Sequence, residues 1–181
     1  MSDENAGQGL EPRRNFIASL TAIIVGGAAS IVPLAAGLTA LLDPLRRGKG
    51  TSDLVLVTKL STIPTEGSPK KFTIVSDRVD AWTTYSNTPV GAVYLRSTAD
   101  GISALNVVCP HAGCFVGLAA DKSRFVCPCH KSSFDLNGSV NDPASPSPRA
   151  MDALEVEVRN GDEVWVRFEN FLPGREEKTR V

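Results

Sequence analysis

Hydrophobic positions along this chain fall into two regimes. Residues 16–42, FIASLTAIIVGGAASIVPLAAGLTALL, are uncharged and mostly apolar with no polar face. About 20 such residues suffice to cross a bilayer as a helix, so the stretch predicts one transmembrane anchor rather than an amphipathic core helix. Gly26, Gly27, Gly37 and Pro33 would weaken a soluble helix but are tolerated where membrane helices pack closely. Pro33 marks the place for a kink. From residue 54 onward the pattern changes to short runs rich in β-branched residues: 54–58, 72–75, 90–95, 104–108, 154–158 and 163–168. Turn-forming residues separate them, and Asn160-Gly161 between the last two is a hairpin signal. With no amphipathic helix among them, these runs predict an all-β antiparallel sandwich or barrel.

Between the regimes, residues 43–53 (DPLRRGKGTSD) hold two glycines, a proline and charged or small residues without periodicity, the composition of a flexible tether. The chain thus divides into an N-terminal segment 1–15, an anchor 16–42, a tether 43–53 and a head 54–181. Nineteen basic against twenty acidic residues, spread along the chain, give no basic face for nucleic acid. Trp82, Trp165 and Phe168 read as core aromatics of the strands.

All four cysteines and both histidines fall between Cys109 and His130, as Cys109-Pro-His111-Ala-Gly-Cys114 and Cys127-Pro-Cys129-His130. Two Cys-His pairs, Cys109/His111 and Cys127/His130, could hold a metal centre, with Cys114 and Cys129 left over. A structural zinc site usually spaces paired ligands by two to four residues, whereas one residue separates Cys109 from His111, and zinc leaves two cysteines unexplained. Two plain disulfides would leave both histidines idle in a chain long enough not to need stapling. A [2Fe–2S] core with two thiolates on one iron and two imidazoles on the other fits four of the six. Ferric ions, sulfides and thiolates then sum to zero charge, against a doubly negative all-cysteine cluster. Such centres therefore accept an electron more readily, at roughly −150 to +300 mV against about −400 mV for plant-type ferredoxins.

C-P-H-A-G-C-F followed by C-P-C-H-K-S-S-F resembles the two cluster-binding boxes of Rieske iron–sulfur proteins, of the disulfide-containing kind found in quinol–cytochrome c reductases. The proline-rich segment 142–148 stands where that family has a loop covering the cluster. The resemblance implies that Cys109 and Cys127 bind one iron, that His111 and His130 bind the other, and that Cys114 pairs with Cys129. It further implies a Rieske-type head over 54–181 behind a membrane anchor. It also implies a redox-enzyme subunit that is not catalytic alone, with a cytochrome b-type membrane subunit, quinol and a c-type cytochrome as partners. In such complexes the head swings between quinol site and haem, so residues 43–53 read equally as hinge or ordinary linker. By the same resemblance, His130 would face quinol and His111 the onward acceptor. Oxidised iron makes the outer imidazole N–H more acidic and reduction raises its pKa, which links electron uptake to proton uptake.

Location follows from the same residues. Pro12-Arg13-Arg14-Asn15-Phe16-Ile17 resembles a twin-arginine export signal, a route for domains folded around a cofactor. Arg46, Arg47 and Lys49 beyond the anchor blunt the positive-inside count. The implied Cys114–Cys129 disulfide would persist only in an oxidising space, which puts residues 1–15 in the cytoplasm and the head outside a single-pass inner membrane anchor. Two alternatives are the Rieske small subunit of a periplasmic oxidase such as arsenite oxidase, and a non-redox, metal-stabilised binding module.

Three residues depart from the reductase pattern. Relatives commonly follow the second-box histidine with Gly-Ser-x-Tyr, and this chain has Lys131-Ser132-Ser133-Phe134. Ser132 keeps the hydroxyl that bonds a bridging sulfide, while Phe134 lacks the one that bonds a ligand sulfur. Fewer hydrogen bonds to sulfur stabilise the reduced cluster less, so a lower potential is expected, which suits menaquinol. Ala112 replaces a bulkier residue, often Leu, on the docking surface, and Lys131 adds a positive charge at the tip.

Overall fold

The computed structural model describes residues 11–46, 54–80 and 83–181. The chain divides into two compact units, Met1–Lys49 and Gly50–Val181.

Among the described residues the first unit is one helix, α1 (Glu11–Arg46). Its apolar part, Asn15–Asp43, runs 29 residues, with none of the most apolar window buried. At 1.5 Å per residue that is about 44 Å, more than the ~30 Å of a bilayer core. The hydroxyls of Thr21 and Ser30 donate to the Ile17 and Gly26 carbonyls four residues back, at 2.9 and 2.8 Å. No bare hydroxyl need then face an apolar medium there. The helix continues through Pro33, and it takes in residues 43–46, the first four assigned to the tether. Residues 47–53 and the side chains of Arg13 and Arg14 lie outside the described residues, so the hinge and the export signal stay expectations.

The second unit is built from antiparallel strands β1 (Leu54–Lys59), β2 (Lys70–Asp80), β3 (Thr83–Thr98), β4 (Gly101–Asn106), β5 (Gly117–Leu118), β6 (Phe125–Val126), β7 (Ser133–Phe134), β8 (Ala153–Leu154), β9 (Val156–Arg159) and β10 (Glu163–Arg167). They form three sheets, ordered β1-β10-β9, β2-β3-β4-β8 and β5-β6-β7. Residues alternate across a strand, so consecutive buried residues require cover on both faces. Val93, Leu95 and Ala104 enter one core with Val164 and Val166. Their neighbours Tyr94 and Leu105 enter a second core with Phe125, Phe134, Cys109 and Cys127. The β2-β3-β4-β8 sheet is thus shared between two cores, and the second contains both unpaired cysteines.

The Asn160-Gly161 turn forms as expected, with φ of 51° and 76° and the Asp162 N–H donating to the Arg159 carbonyl at 3.2 Å. Strands β2 and β3 run past their apolar segments into a polar ribbon with two register shifts. Trp165 corrects an expectation: Val164 and Val166 point inward, so it faces outward and is only part-buried. There its indole N–H donates to Glu163 and Arg159 lies over its ring at 5.2 Å. Phe168 does pack against the core, while Trp82 lies outside the described residues. Gly91 leaves room for the Phe168 ring, because a Cβ there would stand 2.2 Å from Cζ. Gly91→Ala is expected to cost about 1–3 kcal/mol through overpacking, measured by urea unfolding of the head.

Candidate metal centre

Strand β4 feeds the first cysteine–histidine loop, and the second connects β6 to β7. The two loops are built alike. The Cys109 N–H donates to the Cys114 carbonyl at 2.8 Å, and the Gly113 N–H returns to the Cys109 carbonyl at 2.9 Å. In the second loop the Cys127 N–H donates to the Ser132 carbonyl at 2.8 Å, and the Lys131 N–H returns to the Cys127 carbonyl at 3.0 Å. The fifth residue of each loop is left-handed, Gly113 at φ 81° and Lys131 at φ 61°. Glycine takes that conformation freely, while a residue with a Cβ is strained by roughly 1–2 kcal/mol. This is the physical reason a glycine suits position 131, and the departure to lysine has a backbone consequence besides its charge.

Cys109 and Cys127 are unpaired and fully buried. His111 is half-buried and His130 exposed, their ring centroids 4.9 Å apart and edge to face. Cys114 and Cys129 form a disulfide, with Cα atoms 6.5 Å apart, that ties the two loops together. The sulfurs of Cys114, Cys127 and Cys129 lie within 4.8 Å of one another. Only Cys127 of the three has a thiol to give to a metal.

Two buried polar atoms among the described residues have no hydrogen-bond partner: His111 Nδ1 and Ser132 Oγ. Buried polar atoms are seldom left so, and both sit in the cysteine–histidine loops. An imidazole nitrogen without a partner is what a metal ligand needs, and a free hydroxyl is what a sulfide acceptor needs. Burial pushes the Cys109 thiol up, opposed by the His111 backbone N–H and the nearby Ser132 hydroxyl, and raised again by Cys127 beside it. Such a thiol becomes a ligand once a metal displaces its proton. The donor set therefore fits an iron–sulfur centre with mixed thiolate and imidazole ligation.

The proline-rich segment lies against the second loop. Ser145 Oγ accepts from the Ser133 N–H at 3.2 Å, and the Asn141 N–H donates to the Ser133 carbonyl at 3.3 Å. A cleft of about 530 Å³ opens between the second loop and the start of the proline-rich segment, bordered by Arg124, Lys131 and Asp142. Phe134 has no exposed surface and packs in the apolar core that contains Cys109 and Cys127. Tyr94, on the shared sheet, donates to the Val116 carbonyl at 3.2 Å and sets its ring 4.7 Å from Phe125. Burial raises its phenol pKa. Sequence reasoning missed Tyr94, and it missed Asn106, Arg149 and Asp152 behind the first loop. An Arg-x-x-Asp pair on a surface loop is too common a pattern to have pointed to a buried ion pair.

Residues 53–158 match the Rieske [2Fe-2S] domain family. The chain is 31% identical over 152 residues to the menaquinol:cytochrome c reductase iron-sulfur subunit of Bacillus subtilis, covering 82% of this chain and 87% of that one. The Geobacillus thermodenitrificans protein of the same name is 34% identical over the same shares. A crystallised plasma membrane Rieske protein from Synechocystis PCC 6803 is 26% identical, with a TM-score of 0.41 over 61% of this chain and 97% of that one.

Proposed function

The chain belongs to the Rieske [2Fe–2S] family, and from that membership we propose that it is the iron–sulfur subunit of a bc-type quinol:cytochrome c oxidoreductase. The tip carries the reading: two unpaired buried thiols, two adjacent imidazoles, and an unpartnered His111 Nδ1. In this assignment Cys109 and Cys127 hold one iron and His111 and His130 the other. The Cys114–Cys129 disulfide fixes the spacing of the loops. Bound there, a Rieske-type [2Fe–2S] cluster supplies a one-electron acceptor at comparatively high potential.

The residues around it do the rest. With Nδ1 of His111 turned inward, its Nε2 is the outer nitrogen; the exposed His130 ring offers its own outer nitrogen to a hydroxyl donor. His130, the more accessible of the two, takes the proton of a quinol held in a neighbouring cytochrome b-type subunit. His111 is turned toward a c-type cytochrome. With the cluster bound, the unpartnered Ser132 Oγ would be free to donate to a sulfide, and the buried core of Phe125, Phe134 and Val116 would exclude water from the thiolates. Menaquinol is the proposed donor, which accords with the names of the two reductase relatives and with the missing hydroxyl at Phe134. No observation favours the periplasmic oxidase.

The division into segment 1–15, anchor 16–42, tether 43–53 and head 54–181 belongs to the same proposal. The head works on the outer side of the cytoplasmic membrane, where a disulfide persists. One experiment tests the whole reading. Membranes containing the full complex should show a reducible Rieske-type electron paramagnetic resonance signal and quinol-dependent reduction of cytochrome c. Both should vanish when this chain is deleted and return when it is restored. Unchanged quinol-dependent reduction in the deletion would overturn the assignment.

A further inference from the structure

We propose that the C-terminal segment 169–175 is a positioning strap for the first cysteine–histidine loop, a clamp on residues 110–113 separate from the disulfide. The contact is direct. The Gly174 N–H donates to the Pro110 carbonyl at 2.7 Å. Gly174 is left-handed at φ 74°, and a Cβ there would meet the His111 carbonyl at 3.6 Å. A Cβ on Gly113 would meet Pro173 Cγ at 3.8 Å. The strap therefore runs along the loop segment that carries His111, from Pro110 to Gly113.

The strap is itself held by buried groups. Arg149 and Asp152, with side chains only 10% and 5% exposed, form a two-pronged ion pair in which Nε and Nη2 donate to the two carboxylate oxygens at 3.0 and 2.8 Å. The remaining Arg149 prong, Nη1, donates to the Arg175 carbonyl. The Asp152 carbonyl accepts from the Asn106 N–H at 2.8 Å. Asn106, 1% exposed, donates its amide to the Glu169 carbonyl at 2.8 Å and accepts from the Val108 N–H at 2.9 Å, one residue before Cys109. A closed circuit runs from Pro110 through Gly174, Arg175, Arg149, Asp152 and Asn106 back to Val108. Such a planar guanidinium fork fixes geometry as well as charge. Phe171 anchors the segment in the core, and Arg180 pairs with Glu169 beyond it.

Function supplies the reason. Loops are the mobile parts of a head, yet a metal ligand must hold its position to within about 0.5 Å. The disulfide restrains the first loop at Cys114, and the strap adds a hydrogen bond at Pro110 and packing beside Gly113. The strap lies beyond residues 53–158, the part that the family model matches. The redox consequence rests on the cluster assignment above; the restraint itself does not.

Hydrogen–deuterium exchange on the full-length, cluster-containing protein decides it. In the wild type the Gly174 amide should exchange as slowly as core strand amides. Gly174→Pro removes the N–H donor and cannot adopt a positive φ; Arg149→Gln removes the fork. In each, amides of 108–113 should exchange at least tenfold faster while those of 127–133 and of β3 keep their rates. The reduced resonance signal should broaden or shift at unchanged iron content. Three results overturn the proposal: a Gly174 amide that exchanges like an exposed tail in the wild type, which needs neither variant to fold; unchanged exchange at 108–113; or an equal rise across both loops and β3, which would make the segment a general stabiliser. Absence of any [2Fe–2S] signal in the wild type would instead sink the cluster assignment, and the exchange comparison would still judge the strap.

Discussion

Cys127→Ser is expected to yield a chain that retains its strands but shows no [2Fe–2S] signal and supports no quinol-dependent reduction of cytochrome c. Cys127 is 1% exposed, and both its backbone groups are committed to the second loop, the N–H to Ser132 and the carbonyl to Lys131. A serine fits that space and those backbone bonds. Its hydroxyl is far less acidic than a thiol and a poor match for a soft iron–sulfur core. Loss of signal with retained far-ultraviolet circular dichroism would locate the defect at ligation. A full signal in the variant would show that Cys127 is no ligand.

Phe134→Tyr should raise the midpoint potential. The ring is fully buried in β7, in the same apolar core as the two unpaired cysteines, and phenylalanine offers no hydrogen. A phenol reaching a ligand sulfur would favour the reduced, more negative cluster. A hydrogen bond to a charged acceptor is worth about 1.5 kcal/mol at the lower end, and a one-electron couple moves ~59 mV per tenfold change in equilibrium. A rise on the order of 60 mV is therefore expected by redox titration followed by electron paramagnetic resonance. An unchanged potential in a folded, cluster-containing Phe134→Tyr protein would show that the missing hydroxyl does not set the potential.

The sequence announced the N-terminal apolar helix by its uninterrupted length, and the longer apolar strands because each buries residues in a period that survives translation into geometry. Val164 and Val166 alternate with the outward-facing Glu163, Trp165 and Arg167, and Asn160-Gly161 marks the turn before them. The cysteine and histidine residues were legible because their chemistry is rare and their spacing tight. Elsewhere the signal was too short or the wrong kind. β5, β6 and β7 are two residues each, below any period, and exist because the two loops tie them in place. The outer parts of β2 and β3 are polar on both faces, so backbone pairing alone reveals them. Trp165 was misread because size was weighed above its register between two inward valines. Asn106, Arg149 and Asp152 matter through partners distant in sequence, and nothing local to them says so.

The two cysteine–histidine loops share one hydrogen-bonding plan, but their histidines do not share one position on it. His111 is the third residue of its loop and His130 the fourth. That single step leaves one imidazole half-sunk and the other in the open, so matched frames end in an unmatched pair. The tip thereby acquires a front and a back. Under the assignment proposed above, that offset of one residue would let quinol and the onward carrier approach different imidazoles.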